Sequence, residues 1–357
     1  MLDERWEYGS DFYWPTSKEI VTLSRSRDAK EKMDKAACYG SGRSALLAVL
    51  KHGRSHRGWQ RLFVPTYFCP EALSAIELAG IGVRYYPDYP LMNPAGLPKE
   101  KITPRDVVLR VNYFGWRSTE CILAPSKLGC DVIEDHTHDP ISAWAQKSEA
   151  TFCFASLRKT CPIPDGAVLW SPLGLELQGS HPVSKKHLLA CALKLGGMVL
   201  KQAYLGGAKI EKDDFRTLLT EGETRFDEVD ITGMSRVSES LMAAISNKDM
   251  RNRRLANFQK FKGLGAVPER NWPDTGFTED CVPFSIVLLL EDRTRRDLVR
   301  EQLIQSRVYP AVLWNLADES HKESNEFSSR MLSLPCDFRY DDKDLARLSR
   351  ILKGVLS

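Results

Sequence analysis

Short, continuously apolar runs dominate the chain between residues 40 and 172. Runs such as Val107-Val108-Leu109 and Val132-Ile133 do not alternate with polar positions, which is typical of strands covered by helices on both faces. Six segments are predicted strands, namely 61–65, 82–87, 106–114, 131–135, 150–156 and 166–171. Helical spacing over 44–51 and 70–79 supplies crossovers between them. The pattern therefore predicts an α/β fold with a mostly parallel central sheet.

After residue 172 the apolar spacing becomes helical. Apolar positions recur at three and four over residues 234–261, which predicts one long helix that links two domains. A strand over 283–290 and helices over 294–306 and 341–356 follow. We therefore predict a large domain over residues 1–233, with an N-terminal arm, and a smaller C-terminal α/β domain over 234–357 that begins with the interdomain helix.

Composition excludes several classes of function. The 357 residues carry 50 basic and 47 acidic side chains, so the net charge of +3 provides no strong field for nucleic acid. Arg251, Arg253 and Arg254 lie in a polar helical pattern, which favours a solvated helix face over a phosphate-binding track. A protein of this length and 43% hydrophobic content has enough apolar material for two domains.

The nine cysteines are scattered, often within apolar runs, and form no C-x-x-C pair. This distribution is typical of reduced, buried thiols in a cytoplasmic protein and weakens zinc and redox hypotheses. Residues 1–14 are acidic and aromatic, unlike a signal peptide. The most apolar stretch, 187–205, carries Lys194 and Lys201, which indicates a packed amphipathic helix. We expect a cytoplasmic protein that binds neither nucleic acid nor membrane.

A small-residue turn precedes the first predicted crossover helix. Gly42, Arg43 and Ser44 stand immediately before the run Ala45-Leu46-Leu47. The free N–H groups of such a helix start can bind a phosphate, with Arg43 adding charge and Ser44 capping the helix or bonding the phosphate. An ordinary capped helix start explains the same residues equally well. The glycine patterns of dinucleotide and nucleoside-triphosphate loops are absent from the sequence.

The strand 131–135 ends in the polar cluster Asp135-His136-Thr137-His138-Asp139. A carboxylate at a buried strand end needs a cation, and a protonated pyridine nitrogen is one such partner for Asp135. A metal site made of His136, His138 and Asp139 is an alternative, because all three are good ligands. Polar side chains that merely satisfy a loop are a third interpretation.

The next strand ends in Ser156-Leu157-Arg158-Lys159. A lysine at a strand end is usually a solvated surface residue. Here an apolar strand precedes it and a proline-rich turn follows, and Arg158 could lower the pKa of the Lys159 amine enough for it to form a Schiff base. Tyr67 and Phe68 follow the strand 61–65 and could lie against a planar ring, although aromatic residues there are usually core.

Taken in order, four short motifs resemble the DegT/StrS family of sugar aminotransferases, which are fold-type I pyridoxal-phosphate (PLP) enzymes. The motifs are Ser41-Gly42-Arg43-Ser44-Ala45-Leu46, Val64-Pro65-Thr66-Tyr67, Val132-Ile133-Glu134-Asp135, and Ser156-Leu157-Arg158-Lys159 with Asp165-Gly166. Each motif is weak alone, but four in register are far more specific. Weaker similarity continues over 231–245 and 308–310.

The resemblance implies a role for each matching residue. Lys159 falls on the Schiff-base lysine, Asp135 on the partner of the pyridine nitrogen, and His138 near the ring hydroxyl. Gly42, Arg43 and Ser156 fall on or beside phosphate-binding positions. Small-molecule substrates are also implied: an amino donor such as glutamate or glutamine, and a keto acceptor, either a nucleotide-linked keto-sugar or another small ketone. Family members are usually homodimers that share active sites between subunits.

The chain departs from the family pattern at several positions. Cys69 occupies the position of the ring-stacking aromatic, so Phe68, Tyr67 or Cys69 could cover the ring. Phe154 replaces the serine five residues before the lysine, and Ile231 stands where the partner subunit commonly lends an asparagine. Residues 173–230 have no clear match, and substrate specificity could reside there.

Three alternative functions remain open at the level of sequence. A PLP enzyme could catalyse dehydration, decarboxylation or acyl transfer, although Lys159 argues against the dehydratases that lack this lysine. A metal-dependent hydrolase would use His136 and His138. A non-catalytic protein could retain the fold as a binding or assembly module.

Overall fold

The computed structural model describes residues 5–24, 36–177, 181–226, 228–275, 278, 280–316 and 321–357. The strands are β1 (Tyr8–Gly9), β2 (Ala37–Tyr39), β3 (Arg61–Pro65), β4 (Gly82–Tyr86), β5 (Asp106–Val111), β6 (Asp131–Asp135), β7 (Phe152–Ser156), β8 (Ala167–Trp170), β9 (Ser285–Leu289), β10 (Val308–Tyr309) and β11 (Met331–Pro335). The helices are α1 (Ser17–Thr22), α2 (Gly42–His56), α3 (Pro70–Ala79), α4 (Ala143–Lys147), α5 (Lys185–Leu205), α6 (Lys212–Arg225), α7 (Arg236–Ala244), α8 (Asn247–Gly263), α9 (Arg293–Gln305), α10 (Lys322–Arg330) and α11 (Asp342–Leu356).

Seven strands form the central sheet in the order β2-β8-β7-β6-β5-β3-β4. The five strands from β3 to β7 run parallel, and β8 and β2 add antiparallel pairs at one edge. The predicted α/β fold with a mostly parallel sheet is confirmed. In the register of the sheet, Asp135 pairs with Val111 of β5 and with Phe154 of β7. The carboxyl ends of β5, β6 and β7 therefore lie side by side.

Helices cover both faces of this sheet, which explains why its strands are apolar throughout. One face, with Leu109 and Leu169, joins the buried residues of α2 and α3 in a single core. The opposite face, with Val132 and Val168, packs with Leu241 of α7 and its neighbours. Because no strand face is left to solvent at the centre, hydrophobic residues occupy both alternating positions, apart from a few buried polar side chains such as Glu134.

The predicted single helix over residues 234–261 is wrong. The structure has two helices, α7 and α8, separated by an extended residue, Ile245, with φ of −113° and ψ of 155°. Ser246 then begins α8 as its N-cap, because its hydroxyl accepts a hydrogen bond of 3.2 Å from the backbone N–H of Asp249. A side chain that satisfies a free N–H at a new helix start offsets the bonds lost by interrupting the old one.

A second layer closes the chain around the antiparallel pair β9 and β11. Its core combines Ile286 and Leu332 of these strands with apolar residues of α8, α9 and α11, such as Leu345. The N-terminal arm joins this layer, because β1 pairs in parallel with β10, and Tyr8 is buried in the same core.

Helices α5 and α6 form an antiparallel hairpin between β8 and α7 along the chain. They approach closely at Gly197, where an added Cβ would lie 2.7 Å from Cγ of Leu219. In the described part of the chain, α5 is the one helix long and apolar enough to cross a membrane, and 33% of its apolar window is buried. Its lysines Lys194 and Lys201 are buried and ion-paired.

Candidate active site

A cavity of about 420 Å³ lies at the carboxyl ends of the central strands. Residues from the α2 start, the segment after β3, and the ends of β5, β6 and β7 converge on it, and Phe284 and Trp314 close the opposite side. Eight of the predicted site residues line this one cavity: Gly42, Arg43, Phe68, Cys69, Asp135, His138, Ser156 and Lys159. The parallel sheet gathers them because each follows the end of a strand or begins the next helix.

Ser44 is the predicted site residue that lies outside the cavity lining. It is buried, its hydroxyl donates a hydrogen bond of 2.7 Å to the carbonyl of Asp230, and its backbone N–H donates to the hydroxyl of Ser41. Ser41 itself is the N-cap of α2 and reaches the cavity. Ser44 thus ties the helix start to the segment before α7, and its predicted contact with a phosphate stays a prediction.

The start of α2 and the end of β7 meet at Gly42 and Ser156. A Cβ on Gly42 would lie 3.1 Å from Cβ of Ser156, so this close approach favours glycine. The backbone N–H of Ser156 donates a hydrogen bond of 3.1 Å to the hydroxyl of Thr137. The free N–H groups of a fifteen-residue helix and the Ser156 hydroxyl thereby border the same space, which suits an anionic group.

Asp135 ends β6 with its carboxylate in the cavity wall. One oxygen, Oδ1, accepts a hydrogen bond of 2.9 Å from the backbone N–H of Thr137. Burial nevertheless raises the pKa of Asp135. No lysine or arginine among the described residues forms an ion pair with it. A carboxylate desolvated in this way is stabilised by a cation supplied from outside the chain, and a protonated pyridine nitrogen fits that need.

Lys159 ends the short turn Leu157–Lys159 that follows β7, and its side chain is exposed to the cavity. The charge of Arg158, together with burial, lowers the pKa of the Lys159 amine, whereas Glu223 and Cys69 oppose this shift. A lowered pKa leaves more of the amine uncharged at neutral pH and able to act as a nucleophile.

Arg158 is bound by a carboxylate from the α5–α6 hairpin. Its two Nη atoms donate hydrogen bonds of 2.6 and 2.5 Å to the two carboxylate oxygens of Glu223. Lys194 lies 3.0 Å from the same carboxylate. The two cations lower the pKa of Glu223 strongly, so this carboxylate remains ionised. The α5–α6 hairpin therefore supplies the negative charge that balances Arg158 beside Lys159.

His138 presents a neutral imidazole to the cavity. Its Nδ1 accepts a hydrogen bond of 2.9 Å from the backbone N–H of Phe114, which places the ring proton on Nε2. Burial, with the charges of Lys159 and Arg254, lowers the pKa of His138 to about 3. The ring stacks on Phe284 at a centroid distance of 4.5 Å. His138 is thus a fixed hydrogen-bond donor at neutral pH.

The three candidate metal ligands do not converge. His136 turns away to bond Glu134, with 3.1 Å between Nε2 and the carboxylate, whereas His138 faces the cavity. Asp139 is occupied by Arg251 and Arg254. Among the described residues, the possible metal ligands that lie close to His136 are Glu134 and a buried cysteine instead. The residues proposed for a hydrolase therefore share no site.

The expected solvated face of Arg251 and Arg254 is wrong. Arg254 is 4% exposed, and both side chains reach the fully buried carboxylate of Asp139. The sequence also gave no direct sign of Glu223 or Trp314, which come from segments distant in the chain. The rule for strand ends could have found Asn112. It directly follows β5, just as Asp135 is the last residue of the neighbouring strand β6, and both line the cavity.

No family model and no curated protein sequence matches this chain. Solved structures do match it. PseC from Helicobacter pylori, an aminotransferase of pseudoaminic acid biosynthesis, is 12% identical, with a TM-score of 0.64 over 98% of this chain and 99% of that one. The chain has the fold of the sugar aminotransferases.

Two further structures agree with this assignment of fold. The sugar aminotransferase CalS13 from Micromonospora echinospora is 12% identical, with a TM-score of 0.56 over 97% of this chain and 98% of that one. NtdA from Bacillus subtilis, solved with bound cofactor PMP, is 14% identical, with a TM-score of 0.63 over 97% of this chain and 78% of that one. The predicted fold-type I architecture is confirmed.

Proposed function

We propose that the protein is a PLP-dependent aminotransferase that moves an amino group from glutamate or a similar donor to a keto-sugar or another small ketone. One observation carries the proposal: an amine of lowered pKa, Lys159, and a carboxylate without a cation, Asp135, face the same cavity. The helix start at Gly42 supplies an anion site beside them. These are the three features that a phosphorylated pyridine aldehyde requires.

Each residue has a defined task in this proposal. Lys159 holds the cofactor through its Nζ and, once released, moves the proton of the substrate carbon. Asp135 keeps the ring nitrogen protonated, and His138 donates its Nε2–H toward the ring hydroxyl. Gly42, Arg43 and Ser156 bind the phosphate, while Phe68 and Cys69 border the ring. The bound cofactor supplies an electron sink for the substrate carbanion.

The acceptor, the oligomeric state, the location and the domain boundary complete the proposal. A keto-sugar acceptor, nucleotide-linked in the family that the sequence resembles, is supported by the sugar aminotransferases that share the fold. We also propose a homodimer located in the cytoplasm, where its nine cysteines would stay reduced. The boundary between the large and small domains is proposed at residues 233 and 234, just before α7.

The test is an absorbance spectrum of the purified protein with PLP, before and after borohydride reduction, with the modified residue mapped. We expect a band of lysine-bound cofactor and reduction at Lys159. Lys159→Ala should abolish the band, whereas Lys127→Ala, at an exposed lysine far from the cavity, should keep it. Reduction at another lysine would contradict the site.

Glutamate then separates transamination from other PLP chemistry. Addition of glutamate should convert the band to that of pyridoxamine phosphate and release 2-oxoglutarate. Release of carbon dioxide or of a dehydrated product would instead indicate a decarboxylase or a dehydratase. Stoichiometric zinc without a cofactor band would indicate a hydrolase. A binding or assembly activity that Lys159→Ala leaves unchanged would indicate a non-catalytic module.

A further inference from the structure

A second chamber of about 650 Å³ adjoins the cofactor cavity. The two spaces share wall residues, among them Lys159, Phe284 and Leu313. One face of α6 and the N-terminal arm near Ser10 form the far side of this chamber. A molecule in the second chamber can therefore reach the amine of Lys159 while most of it lies outside the cofactor cavity.

Most cations in the chamber wall are neutralised by carboxylates of the chain. Arg158 pairs with Glu223, and Lys194 pairs with both Glu223 and Asp11. The remaining pairs are Lys212 with Glu7, Arg339 with Asp337 and, across 3.6 Å between exposed side chains, Arg216 with Asp213. These side chains shape the chamber but have little charge left for a ligand.

Arg254 differs from these cations. It is 4% exposed, yet it lines the chamber. Its ion pair joins Nη2 to Oδ1 of Asp139 at 3.1 Å. That carboxylate already accepts two hydrogen bonds of 3.0 Å from Nε of Arg251. Two guanidinium groups thus share one carboxylate, which leaves one positive charge in excess.

The hydrogen bonds of Arg254 are also incomplete. Its Nε is buried and has no hydrogen-bond partner among the described residues. In the part of the chain that the structure describes, Asp139 is the one carboxylate within ion-pair distance of Arg254. A buried cationic donor without a partner is unfavourable unless an anion completes it.

The charge of Arg254 also reaches the cofactor cavity. His138, which lines that cavity, has its pKa lowered by the charges of both Lys159 and Arg254. Arg254 and Lys159 are therefore both close enough to this imidazole for their charges to act on it, and both line the second chamber. A substrate whose reacting carbon meets Lys159 would place an anionic substituent toward Arg254.

We propose that Arg254 anchors an anionic group of a substrate, a carboxylate or a phosphate, in the second chamber. The inference rests on the proposed function, since it treats the molecule in the chamber as a substrate of Lys159. A guanidinium suits both groups, because its planar donors bind two oxygens at once. A carboxylate would belong to the amino donor, and a phosphate to the acceptor.

The experiment measures binding of glutarate and of inorganic phosphate to the holoenzyme by calorimetry at low ionic strength. We expect the wild-type protein to bind one of the two, and Arg254→Gln to weaken that binding by about tenfold or more. Loss of glutarate binding would assign the donor carboxylate, and loss of phosphate binding would assign the acceptor. The cofactor band should remain in the variant.

Arg251→Gln is the matched control, because it removes the other guanidinium from Asp139 without touching the chamber lining. We expect it to weaken glutarate or phosphate binding less than Arg254→Gln does, because it removes the excess positive charge but leaves the guanidinium donors of Arg254 in the chamber. Equal losses in the two variants would overturn the proposal, since the effect would then come from the Asp139 anchor. Arg254→Lys, which keeps the charge and a donor, should bind better than Arg254→Gln and covers the case in which the glutamine variant does not fold.

Two outcomes separate this inference from the proposed function. Failure of the wild-type protein to bind either anion would overturn the role of Arg254 even if the cofactor band is present. Absence of the band, with anion binding that still depends on Arg254, would refute the aminotransferase assignment but retain an anion site.

Discussion

Asp165 joins three parts of the molecule, and its replacement provides a quantitative test of the structure. The carboxylate is fully buried and accepts hydrogen bonds from the backbone and hydroxyl of Ser235, at 2.8 and 2.5 Å, and from the hydroxyl of Ser238. Nε2 of His187 lies 3.0 Å from its second oxygen. The start of α7 and helix α5 are thereby tied to the segment that follows Lys159.

In Asp165→Asn, one side-chain oxygen remains for the two hydroxyls, but the other becomes an NH₂ group. That group faces the backbone N–H of Ser235, which is then an unsatisfied buried donor and costs about 1–3 kcal/mol. The hydrogen bond between Nε2 of His187 and the charged carboxylate is also lost, at about 1.5–3 kcal/mol. We therefore expect the free energy of unfolding to fall by about 3–5 kcal/mol.

Urea unfolding followed by circular dichroism at pH 7 measures this loss, with Asp213→Asn as the control. Asp213 has a 90% exposed side chain and a weak ion pair, so its replacement should change the free energy by less than about 0.5 kcal/mol. The hydrogen bonds lower the pKa of Asp165. Its contribution is therefore complete above the pKa of an unfolded aspartate and disappears as the pH falls through the lower, folded value. A loss below about 1 kcal/mol at pH 7 would refute the reasoning.

Three further predictions concern the cofactor cavity. Asp135→Asn should lower turnover with glutamate about 10²-fold or more, because no carboxylate would then keep the ring nitrogen of the cofactor protonated. The melting temperature of the cofactor-free protein should not fall. Glu223→Gln should move the spectral titration of Lys159 to lower pH, because Glu223 raises the pKa of that amine, whereas Glu221→Gln on the exposed side of the same helix should leave it in place. His138 has a pKa of about 3 and is neutral between pH 5 and 8. The pH–rate profiles of the wild-type protein and of His138→Gln should therefore have the same inflections in this range. An inflection present only in the wild-type protein would contradict a neutral imidazole.

The local sequence pattern was sufficient to predict the bounds of an element where clear signals mark both of its ends. The predicted bounds of β3, β6 and α3 match the structure, because a continuous apolar run and a Pro-started helix leave few alternatives. The break at Ser246 lies within an unbroken helical period, and only the capping bond distinguishes it. Periodicity alone does not detect such a competition between a serine cap and helix continuation.

The same limit applies to the site. Rules for strand ends brought out Asp135, His138 and Lys159, because parallel strands deliver these residues to one edge whatever the rest of the chain does. Glu223 and Arg254 are polar residues on helical patterns, and such residues are usually solvated. Their ion pairs join them to parts of the chain more than sixty residues away. No spacing rule connects positions separated in this way.

The α5–α6 hairpin offers a route by which this architecture could acquire new specificity. It is a continuous segment between β8 and α7, and it contributes one wall of the second chamber but no strand of the central sheet. Recombination could exchange such a segment between homologues while the sheet and its lysine are inherited unchanged. A successful graft would need to preserve the side chains that bind the rest of the chain, among them Glu223, which binds Arg158, His187, which binds Asp165, and Lys194, which binds Asp11.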